Sequence, residues 1–325
     1  MNSLAQRQGK PALPRALVRS IGWIIAALLI GAALWYLRGQ WPEIKRVART
    51  VHPEWPLVIA AAALVLLTYA QLIEGWRRVL AAMGGHLAPA RAAVIWLGSN
   101  LARYIPLSGW QMALMTVMAK REAVPVSVSA GASVMLTIVN ILTGLGVFFV
   151  ASAATPTLQL GQAGKVWVIA AAALGLAISP FILPRLGTLA SRLTGRDIVM
   201  PTIGLKSAII AIVSTTTAWI MYGVAFSLLI RGVMPGGARS LSGCIALYTG
   251  SYLAGVIAIV PPAGLGAAEY AMTALAPELG MFTAAEASVL ALIVRVGRTI
   301  LEIVPGVVAL AIAGAVDGRQ PRSAD

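Results

Sequence analysis

Two stretches of this chain place proline, glycine and charge inside apolar sequence, and they restrict its fold more than any other feature. The first is Arg103-Tyr104-Ile105-Pro106-Leu107-Ser108-Gly109, continuing into Trp110 and Gln111. The second is Val260-Pro261-Pro262-Ala263-Gly264-Leu265-Gly266-Ala267-Ala268-Glu269. Proline removes a backbone donor and clashes with the preceding turn, while glycine admits dihedrals that other residues avoid. Each stretch therefore interrupts a helix. Hydrocarbon offers the freed backbone groups no water, so such a break must be buried in protein or line a cavity. Two breaks at corresponding places in two halves of a chain are the sequence pattern of a binding site built from discontinuous helices.

The apolar surroundings are those of a polytopic membrane protein. Hydrophobic residues make up 59% of the chain and charged residues 11%, where a soluble domain carries about 25% charged residues. Apolar segments fall near 17–37, 56–74, 91–119, 126–152, 165–184, 207–230, 241–260, 265–279 and 284–316. Most approach the ~20 residues needed to span a bilayer. Arg7, Lys10, Arg15 and Arg19 precede an apolar run from Ile21 to Leu37, as in a cleaved leader, but Trp35 and Tyr36 close it like an interfacial anchor. A retained first helix is expected. The net charge of +14 fits basic loops facing anionic lipid, so no nucleic-acid partner is expected. Cys244 is the single cysteine, and His52 and His86 lie far apart beside polar turns. No disulfide, metal or cofactor is expected.

The breaks divide 91–119 and 241–279 into pairs of short helical arms, read here as two re-entrant hairpins; kinked spanning helices are the alternative. With the N-terminus inside and both hairpins returning to their own side, the inner segments hold more than twice as many lysines and arginines as the outer ones. That bias gives cytoplasmic N- and C-termini in a cell (inner) membrane. The basic 38–55 loop fits this poorly unless Trp41 and Trp55 hold it at the interface. The expected fold class is all-α: a polytopic membrane protein of two inverted repeats, each with three spanning helices and one broken hairpin. The divisions are a cytoplasmic basic N-terminus (1–20), one transmembrane domain (21–316, with repeats at about 21–152 and 165–316) and a cytoplasmic tail (317–325).

Ionisable groups inside spans are costly and point to function. They are Arg103, Glu269, Arg295, Arg298 and Glu302, with Asn100 as a polar neighbour. Arg295, Arg298 and Glu302 share one helical face by spacing, and Arg298 with Glu302 reads first as a structural ion pair. Arg295 has Glu269 as its natural partner; a locking salt bridge and a substrate role stay open there. Arg103 sits at the hairpin turn, where exposed N–H groups and a fixed cation suit an anion such as phosphate. The alternative is an arginine snorkelling to the interface. Gly264-x-Gly266-x-x-Glu269 lacks the third glycine of a dinucleotide fingerprint and follows no strand. Neither histidine lies near a buried serine and acid, so no enzyme is expected. Glu74 is expected to pair locally with the basic Arg77-Arg78 end.

At these motifs the chain resembles the integral-membrane region of lysylphosphatidylglycerol synthases, a family of flippase-like membrane proteins. The resemblance is carried by Arg103-Tyr104-Ile105-Pro106, Gly109-Trp110, Ala119-Lys120-Arg121-Glu122, Pro262-Ala263-Gly264-Leu265-Gly266-Ala267-Ala268-Glu269 and Leu292-Ile293-Val294-Arg295, and spans roughly residues 20–316. Two departures stand out: Leu107-Ser108 where the family usually has glycine directly after proline, and Ala268 where it often has a basic or polar residue. The resemblance implies movement of a lipid, such as aminoacylated phosphatidylglycerol, between leaflets. No soluble aminoacyl-transferase domain is read, so synthase activity is not expected. The expected partner is a membrane phospholipid or lipid-linked anionic substrate, and a homo-oligomer is compatible with the sequence. The expected substrate-binding residues are Arg103, Pro106, Gly109, Trp110, Gln111, Gly264, Gly266, Glu269, Arg295 and Arg298. A membrane-embedded lipid-modifying enzyme using Glu269 as acid/base, or an accessory subunit of an envelope or glycolipid pathway, are the competing readings.

Overall fold

The computed structural model describes residues 53–104, 109–155, 205–234, 240–258 and 264–317, with isolated positions at 42, 45, 49 and 51. The expected spans at 17–37 and 165–184, and the hairpin tips at 105–108 and 259–263, lie outside the described residues. Those residues form eight α-helices and no strand: α1 (Trp55–Ala82), α2 (Pro89–Asn100), α3 (Trp110–Arg121), α4 (Val126–Ala153), α5 (Leu205–Val233), α6 (Leu241–Ile257), α7 (Ala267–Glu278) and α8 (Ala284–Asp317). A single 3-10 turn, Leu101–Tyr104, extends α2.

Length sorts these helices into two kinds. α1, α4, α5 and α8 are each long and apolar enough to cross a membrane. The helices α2, α3 and α7 have 12 residues each, about 18 Å of rise, too short for a ~30 Å hydrocarbon layer. Each short helix begins where the sequence supplies a start. Pro89 opens α2. Gly109 (φ +113°) precedes α3 and Gly266 (φ +84°) precedes α7. Ser240 caps α6 by accepting from the Gly243 N–H at 3.1 Å.

Two apolar clusters hold the helices together, one for each half of the chain. Trp76, Val79, Leu80, Ile95, Met135 and Val139 of α1, α2 and α4 build the first, completed by Ala208 and Ala211 of α5. Phe226, Ile230, Leu247, Met272 and Leu290 of α5 to α8 build the second, completed by Ala151 of α4. Between the halves, α1 lies along α5, α4 packs on α6, and α8 packs on α2. These contacts use small and hydroxyl residues, the usual packing device where lipid removes the hydrophobic drive between helices. Gln71 of α1 donates to the Ser214 carbonyl of α5 at 2.9 Å. Thr143 of α4 bonds Thr215 of α5 at 2.9 Å. Ile59, Leu67, Ile209, Val213, Val296, Ile300 and Val307 remain outward and exposed, as lipid-facing surface requires.

At the charged end of α1, Glu74 pairs with Arg77 and Arg78, both at 2.7 Å. The arms of the second broken helix meet at Gly255 and Gly264. A Cβ on Gly264 would lie 2.7 Å from the Gly255 Cα, and its φ of +68° disfavours any side chain. Gly264→Ala should therefore lower stability by about 1–3 kcal/mol. Gly297→Ala, whose Cβ would meet nothing within 4 Å, should be neutral or slightly stabilising. Melting curves of both variants in detergent check this; equal melting temperatures would show that the close approach is not required.

Candidate functional site

The centre of the molecule is organised by Glu302. It lies on α8 with its side chain 2% exposed, in sequence otherwise fit for hydrocarbon. A buried carboxylate needs compensating charge and hydrogen bonds, and three groups provide them. Arg298, one turn earlier on α8, donates from Nε to Glu302 Oε1 at 2.8 Å. Arg103, from the 3-10 turn after α2, donates from Nη1 to the same oxygen at 3.2 Å. The Tyr104 hydroxyl donates to Oε2 at 2.9 Å.

Tyr252 of α6 joins this group to the second broken helix. Its hydroxyl accepts from Arg103 Nη2 at 2.8 Å. The Arg298 guanidinium lies over its ring, 4.4 Å from the centroid, a cation–π arrangement. Further aromatics extend from it. Trp219 meets Tyr252 edge-on at 5.2 Å, Tyr222 meets Tyr248 at 5.6 Å, and Tyr69 meets Tyr222 at 6.4 Å between ring centroids. Two broken helices and three long ones thus converge on one cluster holding two guanidinium groups for one carboxylate.

The cluster walls a cavity of about 260 Å³. Arg103 and Arg298 reach its lining, with Gly109, Trp110 and Gln111 from the first break and Gly255 and Gly264 from the second. Gln111 donates to Asn100 Oδ1 at 2.6 Å, which ties the two arms of the first broken helix. Asn100, Thr137 and Asn140 add neutral polar groups to the wall. The arrangement can hold an anion against two fixed cations while aromatic and amide faces contact the rest of the molecule.

The residues singled out in the sequence are distributed as follows. Arg103, Gly109, Trp110, Gln111, Gly264 and Arg298 line the one cavity. Glu269 and Arg295 instead line a smaller adjoining cleft, with Arg298 between the two. There Arg295 approaches Glu269 Oε1 at 3.5 Å, while Glu269 Oε2 accepts from the Gly266 N–H at 2.7 Å. Glu269 therefore caps α7 as well as pairing with α8. Gly266 sits at this cap, outside the lining of both spaces. Pro106 lies outside the described residues. Arg103 does not snorkel: its guanidinium points inward to Glu302 and Tyr252. Sequence reasoning left Glu302 as a local partner of Arg298 and omitted Tyr104, Tyr252, Tyr69 and Tyr222. One available signal was the pair Tyr248 and Tyr252, one turn apart in the apolar run of α6.

Removing Glu302 would leave two half-buried guanidinium groups facing each other. Glu302→Ala should cost about 3–5 kcal/mol. In an Arg298→Ala background the same change should cost clearly less, because only one cation then remains uncompensated. Thermal unfolding of the single and double variants in detergent gives the coupling; strictly additive losses would show that the two groups do not share a charge network.

No curated protein matches the chain significantly. A family described as the lysylphosphatidylglycerol synthase TM region matches over residues 23–306. The stretch includes both broken helices, the arginines at 103, 295 and 298, and Glu302. This multi-pass membrane protein, with its arginine–glutamate–tyrosine cluster around the buried Glu302, thus belongs to the family of the lysylphosphatidylglycerol synthase TM region.

Proposed function

We propose that this protein is a flippase-like transporter that moves a phospholipid or lipid-linked anionic substrate between the leaflets of the inner membrane, without itself catalysing a chemical change. The observation that carries the proposal is the cavity shared by both broken helices, walled by two arginines for one carboxylate. Its volume of about 260 Å³ suits a headgroup, with the acyl chains left in lipid. Transporter sites of this kind lie between repeats and are built from discontinuous helices.

The inverted-repeat reading, with one re-entrant hairpin entering from each side and both termini cytoplasmic, belongs to the same proposal. Exchanging α1 with α5, the α2–α3 pair with α6–α7, and α4 with α8 turns the α4–α6 contact into the α8–α2 contact. The α1–α5 contact maps onto itself. That correspondence supports two equivalent repeats, and the three crossings expected per repeat make them inverted. Rocking of one repeat against the other would then expose the cavity alternately, with the phosphate held near Arg103 and Arg298.

Two measurements test this reading. In the first, cysteines replace Trp110 and Leu265 in a Cys244→Ala background, and membrane-impermeant reagents label intact and inverted vesicles. The expected outcome is labelling of the two positions from opposite sides; labelling of both from one side only would sink the inverted-repeat arrangement. In the second, the flip rate of a fluorescent anionic lipid is followed in proteoliposomes. Arg298→Ala leaves Glu302 balanced by Arg103 and removes the surplus cation, so the fold should persist while the rate falls about tenfold or more. Arg298→Lys should restore only part of the rate, because a point charge cannot reproduce bidentate contact with phosphate. A normal rate in a well-folded Arg298→Ala protein would remove the arginine cluster from the mechanism.

A further inference from the structure

The charge balance of the cavity goes further than a preference for anions. Among the described residues, the charged groups on its lining are Arg103 and Arg298, and no carboxylate faces it. Glu302 lies beneath, 2% exposed, with Arg298, Arg103 and Tyr104 already donating to it. Glu269 is turned to Arg295 and the Gly266 N–H in the adjoining cleft. The stretches 105–108 and 259–263, and the apolar runs 17–37 and 165–184, contain no Asp or Glu in their sequence. Among the described residues, a positively charged headgroup entering here finds no counter-charge on the lining, and the like charges brought together repel.

The rest of the wall is of a different kind. Asn140 and Thr137 lie one turn apart on α4, and the Asn100–Gln111 pair sits across the first broken helix. The Asn140 carbonyl accepts from Trp219 Nε1 at 2.9 Å, while its side-chain amide makes no hydrogen bond within the protein among the described residues. Trp219, Tyr222 and Tyr252 supply aromatic faces beside it. Neutral amides and hydroxyls interleaved with aromatic rings complement hydroxyl groups on a carbon skeleton: the amides give and accept hydrogen bonds, and the rings cover C–H faces.

We propose that the cavity selects an anionic lipid phosphodiester whose remaining headgroup is uncharged and hydroxyl-rich, a glycerol or sugar, and rejects aminoacylated, cationic headgroups. The inference rests on the anion-binding cavity of the transport reading and narrows its ligand. One phosphate charge neutralises the surplus arginine. A single ammonium on an aminoacyl group would restore the positive excess, and the two of a lysyl group would increase it.

The test uses the purified full chain and four short-chain lipids: phosphatidylglycerol, phosphatidic acid, lysyl-phosphatidylglycerol and phosphatidylcholine. Binding is read from quenching of intrinsic tryptophan fluorescence, since Trp96, Trp110 and Trp219 line the cavity, and from the shift in melting temperature. Phosphatidylglycerol should bind at least about tenfold more tightly than lysyl-phosphatidylglycerol or phosphatidylcholine. Asn140→Leu should weaken phosphatidylglycerol binding severalfold and leave phosphatidic acid unchanged, because only the former presents hydroxyls to the amide. Equal or tighter binding of the lysyl lipid would overturn the inference; flipping of both lipids at equal rates in proteoliposomes would do so too, while leaving the transport reading standing. Selective binding with no flipping of any lipid would keep the inference and remove transport. Binding of none of the four would overturn both.

Discussion

A carboxylate buried in the membrane part of a protein has to be balanced where it stands, and here that requirement falls on Glu302. Water cannot reach it, and hydrocarbon does nothing for its charge. Its partners come from separate parts of the chain: Arg298 from the same helix, Arg103 and Tyr104 from the turn after α2. Through Tyr252, Arg103 also reaches α6. The charge network therefore fixes the positions of both broken helices relative to α8. Buried ion pairs often contribute little net stability compared with apolar packing. What this one supplies is geometry: a single arrangement in which two guanidinium groups stand beside a cavity.

In the proposed reading, the surplus of one cation is what connects stability to function. A one-to-one pair would leave no net charge beside the cavity. With two arginines per carboxylate, the site keeps donors and charge available at the cavity wall, and the aromatic cluster of Tyr69, Trp219, Tyr222, Tyr248 and Tyr252 keeps its surroundings poorly solvated. A low local dielectric strengthens any contact to a phosphate. The neighbouring Arg295–Glu269 pair, at 3.5 Å, works differently. It is balanced, lies in a separate cleft, and Glu269 also caps α7, so it links the second broken helix to α8.

Much of the fold was legible in residue order because bilayer physics leaves few choices. Apolar runs near 56–74, 126–152, 207–230 and 284–316 became α1, α4, α5 and α8, extended at most ends by a few residues. α1 runs eight residues further, to Ala82, because its Glu74–Arg77–Arg78 turn satisfies its own charges and continues as helix. The stops at Tyr104 and Ile257 and the starts at Trp110 and Ala267 were readable as well, since proline and glycine act on the backbone locally. The partners of Arg103 were not readable. Glu302 is 199 positions away, and Tyr252 is 149 away; no helical period links them.

By itself the sequence determined the class of protein, the long helices, the places where helices stop, and the local pairs at spacings of three and four residues. Those properties depend on hydropathy and on backbone dihedrals, which act over a few residues. Only the tertiary structure decided which charges meet. It brought Arg103 to the Arg298–Glu302 pair, sent Glu269 and Arg295 to a separate cleft, and gathered tyrosines from α1, α5 and α6 into one wall. The reason is that burial in a low-dielectric interior makes each charge seek its partner in space, and packing of whole helices, not their order in the chain, sets which partner lies within reach.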